Sequence, residues 1–248
     1  MGKYIYCVIR KPKSFGLDLA GVGGGSLHLV DSGKLAVVVS DASIMDDYPI
    51  TRENTFTHQR VIEEVMRMHS PVLPVSFGTV AENSRILQEK MLKAKESALL
   101  DALEGIEGRV ELNLKAMWLD MPKIFQKVVA ENPELGRIKQ AMSGKMLRRD
   151  EAIEVGKVVE TAVESRREKI KEEIFDLLKD IVVDHKETQL LGEQMIFNLA
   201  FLIPESKQKT FDKIVRNLDK QYADENAYFK YIGPIPPFNF VRVPITLI

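Results

Sequence analysis

Four histidines, one cysteine and a run of glycines are the places where this sequence could do chemistry. The histidines are His28, His58, His69 and His185. His58 and His69 fall at helical spacing on one face of an expected helix, but eleven residues of helix hold them roughly 16 Å apart. They cannot ligate one metal ion without a bend, and no Cys–His or His–Glu pair has zinc spacing, so no metal site is expected. His69 precedes Ser70-Pro71, which puts it at the C-terminal end of its helix, where the helix dipole favours the imidazolium. Gly21-Val22-Gly23-Gly24-Gly25-Ser26 has the composition of a phosphate loop. Such a loop needs a strand before it and a helix N-terminus after it, so that backbone N–H groups aim at phosphate. Here a strand follows and no Gly-Lys-Ser/Thr occurs, so the run reads as a flexible connector.

The remaining candidates are weaker. Ser14, Ser40, Ser43 and Ser76 lack the Gly-x-Ser-x-Gly setting of an exposed nucleophile. Asp46-Asp47, ahead of Tyr48-Pro49, could take a cation but reads as a solvated turn. Cys7 sits in an expected strand and reads as a small core residue; a single cysteine allows no internal disulfide and fits a reducing compartment. Lys145, Arg148 and Arg149, and again Arg166, Arg167, Lys169 and Lys171, are interleaved with glutamates, which makes a mixed-sign helix surface. With 35 Lys+Arg against 36 Asp+Glu the formal charge is −1, so a nucleic-acid partner is not expected. The longest apolar runs, such as Leu35 to Val39, are too short to span a bilayer, and the N-terminus lacks a signal-peptide core. No catalytic residue, cofactor or lipid-membrane partner is expected.

The elements that must position these residues alternate between strand and helix. Tyr4 to Ile9 is a β-prone first strand, and Asp31-Ser32-Gly33 joins Ser26–Val30 to Leu35–Ser40 as a hairpin. His58, Val61, Ile62, Val65, Met66 and His69 mark a helix behind a cap at Thr51 or Asn54. Val72 to Phe77 reads as a strand, with Pro74 placing it at an edge or bulge. Thr79-Val80-Ala81-Glu82 has the form of a capping box opening a helix that stops near Gly105. Arg109 to Trp118 alternates strictly, with Val110, Leu112, Leu114, Ala116 and Trp118 on one face. Met121 to about Asp184 is mostly helical without a clean heptad, so a helical hairpin packed on a sheet is expected rather than a coiled coil. Gln194–Ile203, a helix with Phe211, Ile214, Val215, Leu218 and Tyr222, and the strands Ala227–Ile232 and Phe238–Val243 close the chain. The pattern predicts an α+β protein of two small domains, residues 1–120 and 121–248, linked by a long helical segment.

Four stretches carry a resemblance to a known family. They are Tyr4 to Ile9, Leu35 to Ser40, His58 to Val65 running into Pro71 to Val80, and Gly233-Pro234-Ile235-Pro236-Pro237-Phe238-Asn239-Phe240-Val241. In order and spacing they resemble the gas vesicle protein F/L family over nearly the whole chain. The resemblance implies a ferredoxin-like N-terminal domain, an α+β C-terminal domain and no catalytic residues. It also implies a minor or accessory component of the gas vesicle that contacts the small amphipathic main shell protein and other accessory gas vesicle proteins. Phe238 and Phe240, beside prolines that interrupt sheet pairing, are the candidate partner-binding residues; alternating aromatics beside a rigid turn can equally serve a core. A small-ligand regulatory module is the alternative, with loops Gly21–Gly25 and Asp46–Pro49 as its lips.

Overall fold

The computed structural model describes residues 1–43, 48–141 and 148–241. The chain is α+β, with two antiparallel sheets. It divides into two compact units, one of Met1–Leu112, Leu202–Ser206 and Gly233–Ile248, the other of Asn113–Phe201 and Lys207–Ile232.

The first unit is built on β1 (Gly2–Arg10), β2 (Leu27–Ser32) and β3 (Leu35–Ala42). The helix α1 (Arg52–His69) follows, then β4 (Val72–Pro74), β5 (Val80–Ala81), a short turn of helix α2 (Ser84–Ile86) and α3 (Glu96–Gly105). The sheet order is β2-β3-β1-β4, with β5 also paired to β1. A register shift between Ile5 and Cys7 in the β1–β3 pairing marks a bulge. It lets Tyr4, Tyr6, Cys7 and Ile9 serve one layer while Ile5 and Val8 serve the other. Val61, Ile62 and Val65 of α1 pack on the first layer, and Leu87, Met91, Leu99 and Leu103 pack on the second. Cover on both faces is why Leu35 to Val39 is apolar without alternation.

Thr51 caps α1, its Oγ1 accepting the Asn54 N–H at 3.1 Å. Pro74 sits on the edge strand, where a missing N–H costs no ladder bond. The capping box expected at Thr79 does not form. Val80 and Ala81 instead pair with Tyr4 and Lys3, and the Thr79 hydroxyl donates to Ser76 O at 2.7 Å. Asn83 caps the helix, accepting the Ile86 N–H at 3.0 Å. Pairing with β1 satisfies that backbone, and an asparagine four positions on caps as well as a threonine does. The helix is also not continuous: Leu87–Lys93 is π-helical before α3 begins.

The rest of the chain supplies β6 (Arg109–Trp118), α4 (Met121–Glu131), α5 (Pro133–Ala141), α6 (Arg149–Leu178), β7 (Asp184–Glu187), β8 (Met195–Pro204), α7 (Gln208–Gln221) and β9 (Ala227–Ile235). The second sheet has the order β7-β8-β6-β9. In the second unit Leu114, Ala116 and Trp118 of β6 are buried, as the alternation expects. Phe175 of α6 and Phe211 of α7 both meet Phe201 of β8, at 6.0 and 5.7 Å between ring centroids. The long helix thus packs on a sheet. Its buried side chains, Val163, Ile170, Ile174 and Leu178, begin only at its midpoint.

One expected strand is a turn over its described residues. β9 runs through Gly233-Pro234, and Phe238 to Phe240 form a turn. Pro236 and Pro237 cannot donate to a ladder, and the N–H groups of Phe240 and Val241 both bond Pro237 O at 3.1 Å. Val243, the end of that expected strand, lies outside the described residues.

Candidate functional site

The strongest chemical constellation is in the first unit, and it is occupied by its own partners. Tyr4 Oη accepts the Gly78 N–H at 3.0 Å and lies 3.1 Å from His58 Nδ1. Nε2–H of His58 donates to Val75 O at 3.0 Å, so in the neutral ring Nδ1 is the acceptor of the Tyr4 hydroxyl. Burial holds the His58 pKa below its ordinary value, against the opposing pull of the Val75 carbonyl. Burial also pushes Tyr4 up to about 12. Tyr6 stacks on His58 at 5.5 Å, and its Oη accepts the Val22 N–H at 2.7 Å and lies 3.0 Å from Ser40 Oγ. A Cβ on Gly21 would run into Tyr6 Oη and lie 3.1 Å from Ser40 Cβ. The glycine run is therefore not a flexible connector. It is a loop closed over a buried tyrosine, and Val22 is buried with it.

The other histidines have separate settings. His28 lies beside Lys3 and Asp41, His69 beside Phe15 at 5.7 Å, and His185 against Phe175 at 4.5 Å. Among the described residues no group of three or more His, Cys, Asp or Glu is placed to hold a metal ion, and no helix is long and apolar enough to cross a membrane. Cys7 is fully buried, which raises its pKa and disfavours the thiolate. Asp46, Asp47 and Lys145 lie outside the described residues.

The terminal aromatic segment belongs to the first unit. Phe238 packs, half-buried, against the layer that holds Tyr4 and Tyr6, while Val241 is buried in the opposite layer. Phe240 is half-buried. Between them Asn239 donates its N–H to Glu111 Oε2 at 2.8 Å and its side-chain amide to Oε1 at 2.5 Å. Glu111 has no exposed surface. It was missed in the sequence, because alternation assigns it to the outward face of β6 and its partner is 128 positions away.

In the second unit a charged cluster ties α4 and α6 to the turn before β9. Arg166 donates to Glu225 at 2.7 and 2.6 Å and to Glu131 at 2.6 Å, and Lys127 donates to Glu225 at 2.7 Å. Beside it lies an apolar groove. Phe125, Val129, Leu135, Ile138, Val155 and Val159 line a depression of about 350 Å³. Phe125 and Val159 also border a second one of about 560 Å³, which reaches Gly156, Glu160, Arg167 and Glu193. No side chain of α6 before Val163 is buried, and Ile153 there is half exposed.

Comparison with known proteins places this architecture. The model of the family described as "Gas vesicle synthesis protein GvpL/GvpF" matches residues 2–242. The chain is 27% identical over 243 residues to gas vesicle protein F of Nostoc sp. (strain PCC 7120), covering 98% of each. It is 27% identical over 245 residues to gas vesicle protein F1 of Halobacterium salinarum, covering 98% of this chain and 93% of that one. Its fold is similar to the crystal structure of gas vesicle protein GvpF from Anabaena sp. PCC7120, with a TM-score of 0.88 at 26% identity over 98% and 99% of the two chains. GvpF from Microcystis aeruginosa is similar with a TM-score of 0.83 at 26% identity, again over 98% and 99%. The chain belongs to the gas vesicle synthesis protein GvpL/GvpF family.

Proposed function

We propose that the protein is an accessory component of the gas vesicle that binds the amphipathic main shell subunit and assists nucleation or assembly of the wall. It works at the vesicle, by binding and without catalysis. The observation that carries this reading is the uncovered apolar helical surface of the second unit, where Phe125 and Ile153 are exposed and Val155 and Val159 are only half-buried. A shell subunit with an apolar side aggregates unless something holds that side before the wall closes. The Tyr4–His58–Tyr6 cluster supports a non-catalytic role, since both ring nitrogens of His58 are spent inside the fold.

The test is light scattering while denatured shell subunit is diluted into buffer. Equimolar protein is expected to suppress the rise in scattering, whereas an equal mass of an unrelated α+β protein leaves it unchanged. Identical traces with and without the protein would sink the reading. Phe238→Ser with Phe240→Ser enters the same assay as the competing surface. Loss of suppression with an intact circular dichroism melt would assign docking to the terminal segment.

The small-ligand alternative also has a cavity. A cleft of about 460 Å³ lies between Gly21–Gly24 and the start of α1, with Phe56, Thr57 and Arg60 on its wall. A thermal-shift screen with nucleotides and amino acids tests it, and a ligand-dependent rise in melting temperature would favour it over shell binding.

A further inference from the structure

We propose that the groove between α4 and α6 receives one amphipathic helix of the shell subunit, seated against Gly156 and Phe125 and oriented by a basic side chain meeting Glu160 and Glu193. The proposal rests on the shell-binding reading and gives it a site.

Three observations point to a helix with that charge. The first is Gly156. A glycine inside a helix costs about 1 kcal/mol relative to alanine, yet a Cβ added here would meet nothing within 4 Å. Packing within the chain therefore gives no reason for it. Its position on the groove does, because a missing side chain lets a partner backbone come close. The second is shape. The groove runs between two helices, and the eleven residues of α4 span roughly 16 Å, enough for about three turns of a docked helix with anchors at i, i+3 or i+4, and i+7.

The third is electrostatic. Glu160 and Glu193 are exposed, and both line the groove. The cation beside them is already committed, with Arg167 donating to Glu164 at 2.8 Å and to the Glu193 carbonyl at 2.6 Å and lying over the Trp118 ring at 5.5 Å. The Glu160 and Glu193 carboxylates therefore make that part of the lining acidic, and they complement a lysine or arginine on the incoming helix. A neutral strand would use neither the glycine nor the carboxylates.

The experiment is titration of purified shell subunit, in mild detergent, against fluorescently labelled full-length protein, followed by anisotropy. Gly156→Leu fills the groove and adds a better helix former, so its melting temperature is expected to stay level or rise while affinity falls by about tenfold or more. Glu160→Lys with Glu193→Lys is expected to weaken binding several-fold, with the difference shrinking as salt is raised. If wild type binds and both variants bind equally well, the site is wrong while shell binding stands. If wild type does not bind at all, both readings fall. If Gly156→Leu instead removes a self-associated species and leaves shell affinity untouched, the groove is an interface between copies and the proposal is overturned.

Discussion

Glu111→Ala should be among the most damaging single changes in the first unit, although no chemistry depends on Glu111. Its carboxylate is fully buried and accepts two hydrogen bonds from Asn239, at 2.8 and 2.5 Å. A hydrogen bond to a charged group contributes about 1.5–3 kcal/mol, and truncating the acceptor strands the donors. Counting both bonds without full additivity, the loss should be about 3–5 kcal/mol. For a chain of this size that is a fall in melting temperature of roughly 6–20 °C. Asn239→Ala removes only the side-chain donor and should cost about 1.5–2 kcal/mol. The two changes should couple, so that Asn239→Ala costs far less when Glu111 is already alanine. Urea unfolding followed by circular dichroism gives the midpoints, and hydrogen exchange at the Asn239 amide reports the terminal segment locally. A Glu111→Ala midpoint within error of wild type, with that amide still protected, would show that the buried carboxylate does not hold the segment.

The remaining expectations concern three other places. His58 is held neutral below its ordinary value near 6.5, so the unfolded chain takes the proton first. Stability should be full above about pH 6.5 and fall as the pH drops through that value, and His58→Gln should flatten this slope in melting curves taken from pH 8 to 5. Gly21→Ala forces a Cβ into Tyr6 Oη and Ser40 and should cost about 1–3 kcal/mol by denaturant titration; a cost near zero would restore the flexible-connector reading. Arg166→Ala leaves part-buried Glu225 with Lys127 alone and should cost about 2–3 kcal/mol, read as a lower urea midpoint by Trp118 fluorescence.

Much of the fold was legible because local rules and tertiary packing agree there. The alternation of Arg109–Trp118, the Thr51 cap and the Gly33 hairpin turn each follow from spacing and turn chemistry within a few residues. What was not legible depends on partners distant in sequence. Nothing within β1 announces that Tyr6 will hold Val22 and close a glycine loop, and nothing in β6 marks Glu111 as inward-facing. Thr79 and Asn83 both make plausible caps, and only the pairing of Val80 and Ala81 with β1 decides between them. Phe238 and Phe240 alternate as a strand would, but the prolines before them leave a turn as the hydrogen-bonded solution. The groove was the hardest to read. Val155 and Val159 are apolar like the positions that follow them, whereas the buried part of α6 begins only at Val163.

Photo-crosslinking at position 125 reads out whether the shell subunit occupies the groove. With Phe125 replaced by p-benzoylphenylalanine in cells that build gas vesicles, irradiation should yield an adduct between this protein and the shell subunit. The same probe in place of Ile50, exposed but far along the chain from the groove, should yield none. Absence of a shell adduct at position 125, with a strong one at 238 or 240, would contradict the groove and return docking to the terminal aromatic segment.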